Sequence, residues 1–392
     1  MTILKEKQNI PEGWFETTLE KECEVLKGKG LSKDVINQDG KYECVLYGEL
    51  FTTYEEIINS IKSRTDKKDG MPSVVGDVLI PGSTTTVAKD LAIASSLNRE
   101  KVLLGGDINI LRKKKDSYDS NFLAYYLTHY KKKELSRFAQ GITIIHLSGN
   151  KFKQLDICIP KSKKEQKKIA EILGAVDEDI AKTQGVIDTT EKLKRGLMQK
   201  LFTRGIGHTK FKKTKLGEIP EGWEVKPFEK FAVLQRGFDL PVQDRSIGQY
   251  DLVTSNGVTD KHNQFKVKGP GVVTGRSGTL GNVFYVENDF WPLNTTLYIK
   301  DFHGNHVKFV YYKIKSFDIR RFGTGTGVPT LNRNIVHKEL VAVPKYHEQQ
   351  KITEILSAVD EKISVNKKLL AKLTKLKKGL MQDLLSGQKR VI

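Results

Sequence analysis

At 392 residues the chain exceeds what one hydrophobic core usually supports, so two or more domains are expected. Its 66 Lys and Arg against 47 Asp and Glu give a net charge of +19, which favours a polyanionic partner, nucleic acid above all, although the basic stretches 161–168 and 210–215 would also suit solvated helix or linker faces. Cys23, Cys44 and Cys158 are odd in number and lack CxxC spacing, which argues against a disulfide framework and a zinc site; no stretch reaches the ~20 apolar residues that cross a bilayer, and the N-terminal residues lack a signal-peptide core, so a cytoplasmic protein with no membrane association is expected.

The first landmark along the chain is Ile10-Pro11-Glu12-Gly13-Trp14. Short apolar stretches broken by Gly and Pro follow, 74–80 and 102–111 among them, and predict strands of an α+β head with some helix. Two polar, hydroxyl-rich loops in this head, 82–86 and 141–151, are candidate DNA contacts through Ser83, Thr84, Thr85, Thr86, Thr143, His146, Asn150 and Lys151. Each of these side chains taken singly would equally suit an ordinary solvated turn.

From 165 to 201 apolar or small residues recur at steps of three and four: Ile169, Leu173, Val176, Ile180, Thr183, Ile187, Thr190, Lys194, Leu197 and Leu201. This is a heptad seam, free of Pro and followed by Gly205, and it predicts one long helix. Ile219-Pro220-Glu221-Gly222-Trp223 then repeats the first landmark letter for letter at an offset of 209. A second α+β head follows, with strands expected at 271–274 and 283–286. Its candidate DNA contacts are Arg236, the loop 276–279 with Arg276, Ser277 and Thr279, and the loop 320–333 with Arg320, Arg321, Thr324, Asn332 and Arg333. A second seam closes the chain: Ile352, Leu356, Val359, Ile363, Asn366, Leu370, Leu373, Lys377, Leu380 and Leu384, each 183 residues after its counterpart, with Gly387 beyond the last.

The chain is therefore a tandem duplication. Its ends match and its middles diverge, since the offset falls from 209 to 183, so a shared scaffold carries two variable modules. Weak similarity between the heads persists, Phe138-Ala139-Gln140-Gly141 with Phe322-Gly323-Thr324-Gly325, and 155–160 with 339–344. A helix of some 37 residues makes a rod of ~55 Å, longer than a small domain covers, so the two helices are expected to pair as an antiparallel coiled coil rather than pack separately. The expected arrangement is pseudo-twofold, with head one at 1–160, helix one at 161–205, head two at 206–344 and helix two at 345–392. Matched polar breaks, Thr183 with Asn366 and Lys194 with Lys377, would fix the helix register.

The chain lacks catalytic signatures. An adenine methyltransferase needs an Asn/Asp-Pro-Pro-aromatic loop, and no Pro-Pro occurs; no G-x-x-x-x-G-K-[ST] supports ATP hydrolysis; Glu165-Gln166-Lys167 lacks an upstream metal-binding Asp; and the 8 His show no HExxH spacing. The glycines of Phe322-Gly323-Thr324-Gly325 do not enter a helix, which points to a structural or DNA-facing loop instead.

The IPEGW start, the EQ-x-KI-x-EIL-x-AVDE helix and the GLMQ end, each present twice, resemble the specificity subunit of type I restriction-modification enzymes. The resemblance implies two target-recognition domains, each reading half of a split double-stranded DNA sequence, with the paired helices as spacer. It also implies two modification subunits that methylate adenine and carry S-adenosylmethionine, and restriction subunits that use ATP and Mg. No catalytic residue, metal or cofactor is expected in this chain. A specificity subunit of a related restriction architecture, and a coiled-coil protein adaptor, are the alternatives.

Overall fold

The computed structural model describes residues 10–324 and 329–391. Two compact units account for the chain. The first combines the residues up to Thr183 with those from Leu369 onward; the second is Gln184–Lys368. Four helices organise them: α1 (Ser120–Tyr125), α2 (Lys163–Arg204), α3 (Val307–Ser316) and α4 (Tyr346–Leu385). Each unit therefore takes one portion of α2 and one of α4.

In the first unit a five-stranded sheet runs in the order Cys23–Lys27, Ile108–Lys113, Asp77–Pro81, Ser95–Leu97, Ile57–Ile58, beside a four-stranded sheet centred on Tyr42–Val45 and Leu103–Leu104. The strand Trp14–Thr18 pairs antiparallel with Asp156–Pro160, which places Trp14 opposite Pro160. Trp14 thereby enters a core with Phe122 of α1, Ile169 and Leu173 of α2, and Leu384 and Leu385 of α4. The second unit repeats the plan. Glu224–Pro227 pairs with Leu340–Val343, and Trp223 joins Phe309 of α3, Leu201 and Phe202 of α2, and Ile352 and Leu356 of α4.

Two expected strands are shorter than their apolar runs. Val74 and Val75 are exposed in a turn that Asp77 closes by accepting the Val74 amide at 2.8 Å, so the strand starts at Asp77. The 102–111 run is split by Gly105 and Gly106 into two strands in different sheets, Leu103–Leu104 and Ile108–Lys113, with Asp107 at φ +58°. A continuous strand would have needed no left-handed residue there. The strands at Gly271–Gly275 and Val283–Val286 lie where the sequence places them.

Within each unit the long helices run antiparallel. In the first, Glu165 pairs with Arg390 and Asp177 with Lys377; in the second, Glu191 pairs with Lys367 and Lys194 with Asp360. Among the seam residues, Ile169, Leu173, Ile187, Leu201, Ile352, Leu356, Ile363 and Leu384 are buried. Val176, Ile180, Leu197, Val359, Leu370, Leu373 and Leu380 are half-buried. The polar breaks divide into two kinds. Thr183 and Asn366 turn back on their own helices, to Asp179 O at 2.7 Å and Lys362 O at 2.8 Å, and make no hydrogen bond to the other helix among the described residues. The two lysines reach the other helix. Lys377 lies 2.6 Å from Asp177, which also accepts the Tyr125 hydroxyl at 2.6 Å; Lys194 meets Asp360, which accepts the Tyr312 hydroxyl at 2.7 Å. Each head thus fastens itself with a tyrosine to an ion pair between the helices. These pairs are largely sheltered from solvent, so a double-mutant cycle of Lys194→Met and Asp360→Asn, followed by urea unfolding, should give a coupling of about 1–3 kcal/mol, well above that of an exposed pair.

Candidate nucleic-acid interface

In the first head the loops 82–86 and 141–151 come together. Ser83–Thr84, Ile145–Leu147 and Ala139–Gln140 form one small antiparallel sheet, with Ser83 opposite His146 and His146 opposite Gln140. The Leu147 amide donates to Gly82 O at 2.8 Å and completes the link. Thr85, Thr86, Thr143, His146, Asn150 and Lys151 are exposed. Ser83 is not: it is buried and donates to Asp107 at 3.1 Å, so its hydroxyl holds the loop. Thr84 is half-buried against Thr86, which in turn donates to Asp90, and Lys151 donates to Gln140.

The second head builds its loops in the same way. Ser277 bridges to Thr330, and the Leu331 amide donates to Arg276 O at 2.7 Å. Gly323–Thr324 then pairs with Thr330–Leu331, as Ala139–Gln140 pairs with His146 and Leu147. Ser277 is therefore the counterpart of Ser83, and Thr330 that of His146. The helix that follows starts after Ser148 in one head, where no side-chain cap forms, and after Asn332 in the other, whose side chain accepts the Asn334 amide at 3.0 Å.

The arginines have distinct surroundings. Arg320 and Arg321 are exposed and paired with Asp318 at 2.8 Å and Glu339 at 2.9 Å. Arg236 pairs with Asp239 at 3.0 Å. Arg276 donates inward to Asn294 O at 2.8 Å. Arg333 is half-buried and donates to Gln235 at 2.7 Å, beside His337, whose ring accepts the Leu234 amide at 2.9 Å. Burial, and secondarily the Arg333 charge, push the His337 imidazole below its usual range, in keeping with an accepting, neutral ring. Thr279, Thr324 and Asn332 are exposed; residues 325–328 of the 320–333 loop lie outside the described residues.

Composition alone groups these residues without separating the buried members from the exposed ones. Thr330 and Gln140, which the two small sheets place beside the candidates, are not singled out as contacts by the sequence, although the matching Phe138 and Phe322 segments and the 320–333 loop contain them. Among the described residues there is no group of His, Cys, Asp or Glu able to hold a metal ion, and no helix is long and apolar enough to cross a membrane.

The model of the type I restriction modification DNA specificity domain matches residues 11–191 and again 210–375. The chain belongs to that family. A Methanocaldococcus jannaschii protein named as the type I restriction enzyme MjaX specificity subunit is 26% identical over 97% of this chain and 95% of its own length. The MjaVIII specificity subunit of the same organism is 25% identical over 74% of this chain and 75% of its own. In fold, the crystal structure of a type I restriction-modification S subunit from M. genitalium superposes with a TM-score of 0.69 at 20% identity, covering 97% of this chain and 98% of that one. A chain from a structural study of type I complex assembly and conformational transition gives a TM-score of 0.55 at 12% identity, covering 96% and 99%. This specificity subunit is thus a tandem α+β protein and non-catalytic, as specificity subunits of type I systems are; such a subunit works within a complex with DNA and other subunits.

Among the candidates, Arg333→Ala should cost about 1–2 kcal/mol of stability through the lost bond to Gln235, whereas Thr143→Ala in the exposed first loop should stay within about 0.5 kcal/mol. Thermal unfolding of the two variants checks this division.

Proposed function

We propose that this specificity subunit reads a bipartite double-stranded DNA target in the cytoplasm, one half-site per head, and scaffolds two modification subunits together with restriction subunits. S-adenosylmethionine, ATP and Mg belong to those partners. The recognition domains are 1–160 and 206–344, and the helices at 161–205 and 345–392 act as the spacer. The observation that carries the reading is the pair of small sheets that present loops 82–86 and 141–151 in one head and 276–279 with the described residues 320–324 and 329–333 in the other on matching strand pairings with different side chains. Conserved geometry with changed side chains suits two modules that read two unlike sequences.

Base edges would be read by the exposed polar residues: Thr85, Thr86, Thr143, His146, Asn150 and Lys151 in the first head, and Thr279, Thr324 and Asn332 in the second. Arg320, Arg321 and Arg236 are suited to phosphates, because each can exchange an exposed carboxylate partner for a phosphate oxygen. Ser83, Arg276 and Arg333 position these loops from beneath. Replacing 220–343 by the matching segment of a related subunit should change one half of the methylated sequence and leave the other intact, as read by methylation-aware sequencing; a change in both halves refutes the modular reading. With 6 to 10 phosphates contacted, DNA affinity should fall about 10³–10⁵-fold between 50 and 200 mM salt. A titration showing no salt dependence would refute the phosphate contacts.

A further inference from the structure

The second unit contains a cleft where α2, α3 and the hairpin of strands Phe211–Thr214 and Gly217–Pro220 converge. Met198 and Phe202 of α2, Ile219 of the hairpin, and Phe317 and Val341 make its walls apolar. Lys313 of α3 also lines it and is only 7% exposed. Its ammonium sits 5.1 Å from the centre of the Phe202 ring and 5.7 Å from that of Phe317. No carboxylate partners it among the described residues, and burial alone pushes its ammonium down to about 8. Glu218, which also lines the cleft, is taken by Arg204 at 3.3 Å, while Arg195 and Lys315 add positive charge at the exposed edge.

A buried ammonium without a counter-ion destabilises the protein that carries it, and two ring faces offset only part of that cost. The fold itself does not ask for the charge. Tyr125 and Tyr312 hold equivalent places, each donating to an aspartate between the long helices, and the next residues are Tyr126 and Lys313. Tyr126 is buried and neutral, its hydroxyl accepting the Cys158 amide at 3.0 Å. The matched position is thus a neutral tyrosine in one unit, where Trp14, Tyr130, Cys158 and Ser386 line the corresponding cleft, and an unpaired lysine that itself lines the cleft in the other.

We propose that this cleft receives a docking segment of a modification subunit, one that carries a carboxylate between apolar side chains, and that the carboxylate pairs with Lys313. The apolar walls select the flanking side chains and the ammonium selects the acid. This inference rests on the reading that modification subunits bind the chain. Because the charge is present in one unit only, it strengthens the docking of one of the two modification subunits and leaves the other unchanged.

The test uses the full chain and the modification subunit of its own system. Lys313→Met should leave the melting temperature of the isolated chain unchanged or raised, since a buried charge is replaced by an apolar group of similar length. The same variant should weaken one of two binding steps at least about tenfold, so that the dilute complex carries one modification subunit where the original chain carries two. Phe317→Glu, which supplies Lys313 with an internal carboxylate, should weaken the same step with the fold kept. A fall in melting temperature with Lys313→Met would assign the lysine to folding and overturn the proposal, as would unchanged binding by both variants. If the original chain captures no modification subunit, it is the underlying reading that fails; capture that is indifferent to Lys313 defeats only the cleft.

Discussion

The fold depends on how two long helices dispose of a stripe that neither can bury alone. A helix of 42 residues presents its seam for its whole length, and no small domain covers that much. In each unit the solution is to pack portions of both helices antiparallel and to close the head over them through a tryptophan. The charged nodes within this packing are costly unless every group is answered. Most of them are: Lys377 meets Asp177, Glu56 meets His129 through one oxygen, and Asp177 takes the Tyr125 hydroxyl, while the other Glu56 oxygen has no hydrogen bond among the described residues and only the Lys377 charge 3.8 Å away. His129 and Tyr125 come from the head, so its strands and loops are held in place relative to the helix pair by the same network that neutralises the half-buried lysine.

Duplication of this arrangement explains how recognition loops can change while their placement does not. The loops are held mainly by main-chain bonds, Leu147 to Gly82 in one head and Leu331 to Arg276 in the other, which tolerate any side chain on the outer surface. Side chains that serve the framework point inward, as Ser83 does towards Asp107. Gly275 shows how tight this framework is: a Cβ there would lie 2.1 Å from Thr279 O, so the strand can leave the sheet and turn into the loop only as glycine. A surface free to vary over a frame that is not free is what a reader of diverse sequences requires.

Much of this was legible in the sequence because duplication prints a pattern twice. The seams followed from heptad spacing, which specifies geometry independently of what it packs against, the antiparallel pairing from the length of the helices, and the α+β heads from short apolar runs broken by Gly and Pro. The division of the candidate site was less legible. Ser83, Thr84 and Thr86 read alike as hydroxyls in a polar loop, yet one is buried and one exposed, and that difference arises from strands at 139–140 and 145–147, too short to leave any periodicity. The polar seam breaks were visible as a matched set, but spacing does not say which of them reaches across. Thr183 and Asn366 are short enough to bond their own helix, whereas the lysines have the length to find an aspartate on the other.

The two units also differ where the pattern says they should agree. Glu165 and Glu348 stand 183 residues apart on matched helices. Glu348 accepts the Trp223 indole N–H at 2.9 Å and lies 2.9 Å from His208. Glu165 is engaged instead by Arg390, which also donates to the carbonyl of Glu12, and the Trp14 indole N–H has no partner among the described residues. A glutamate wholly or partly out of solvent must be answered in both units, and each uses the segment that follows a long helix to do so, 205–208 in one and 387–390 in the other. Gly205 and Gly387 begin those segments in the left-handed conformation, at φ +63° and +73°, and a Cβ on either would strike the tryptophan ring. What the repeat conserves is the requirement for a turn that brings a polar side chain back to the glutamate. The residue that meets it, histidine or arginine, is free to change, in the same way that Tyr126 and Lys313 answer one position with different chemistry.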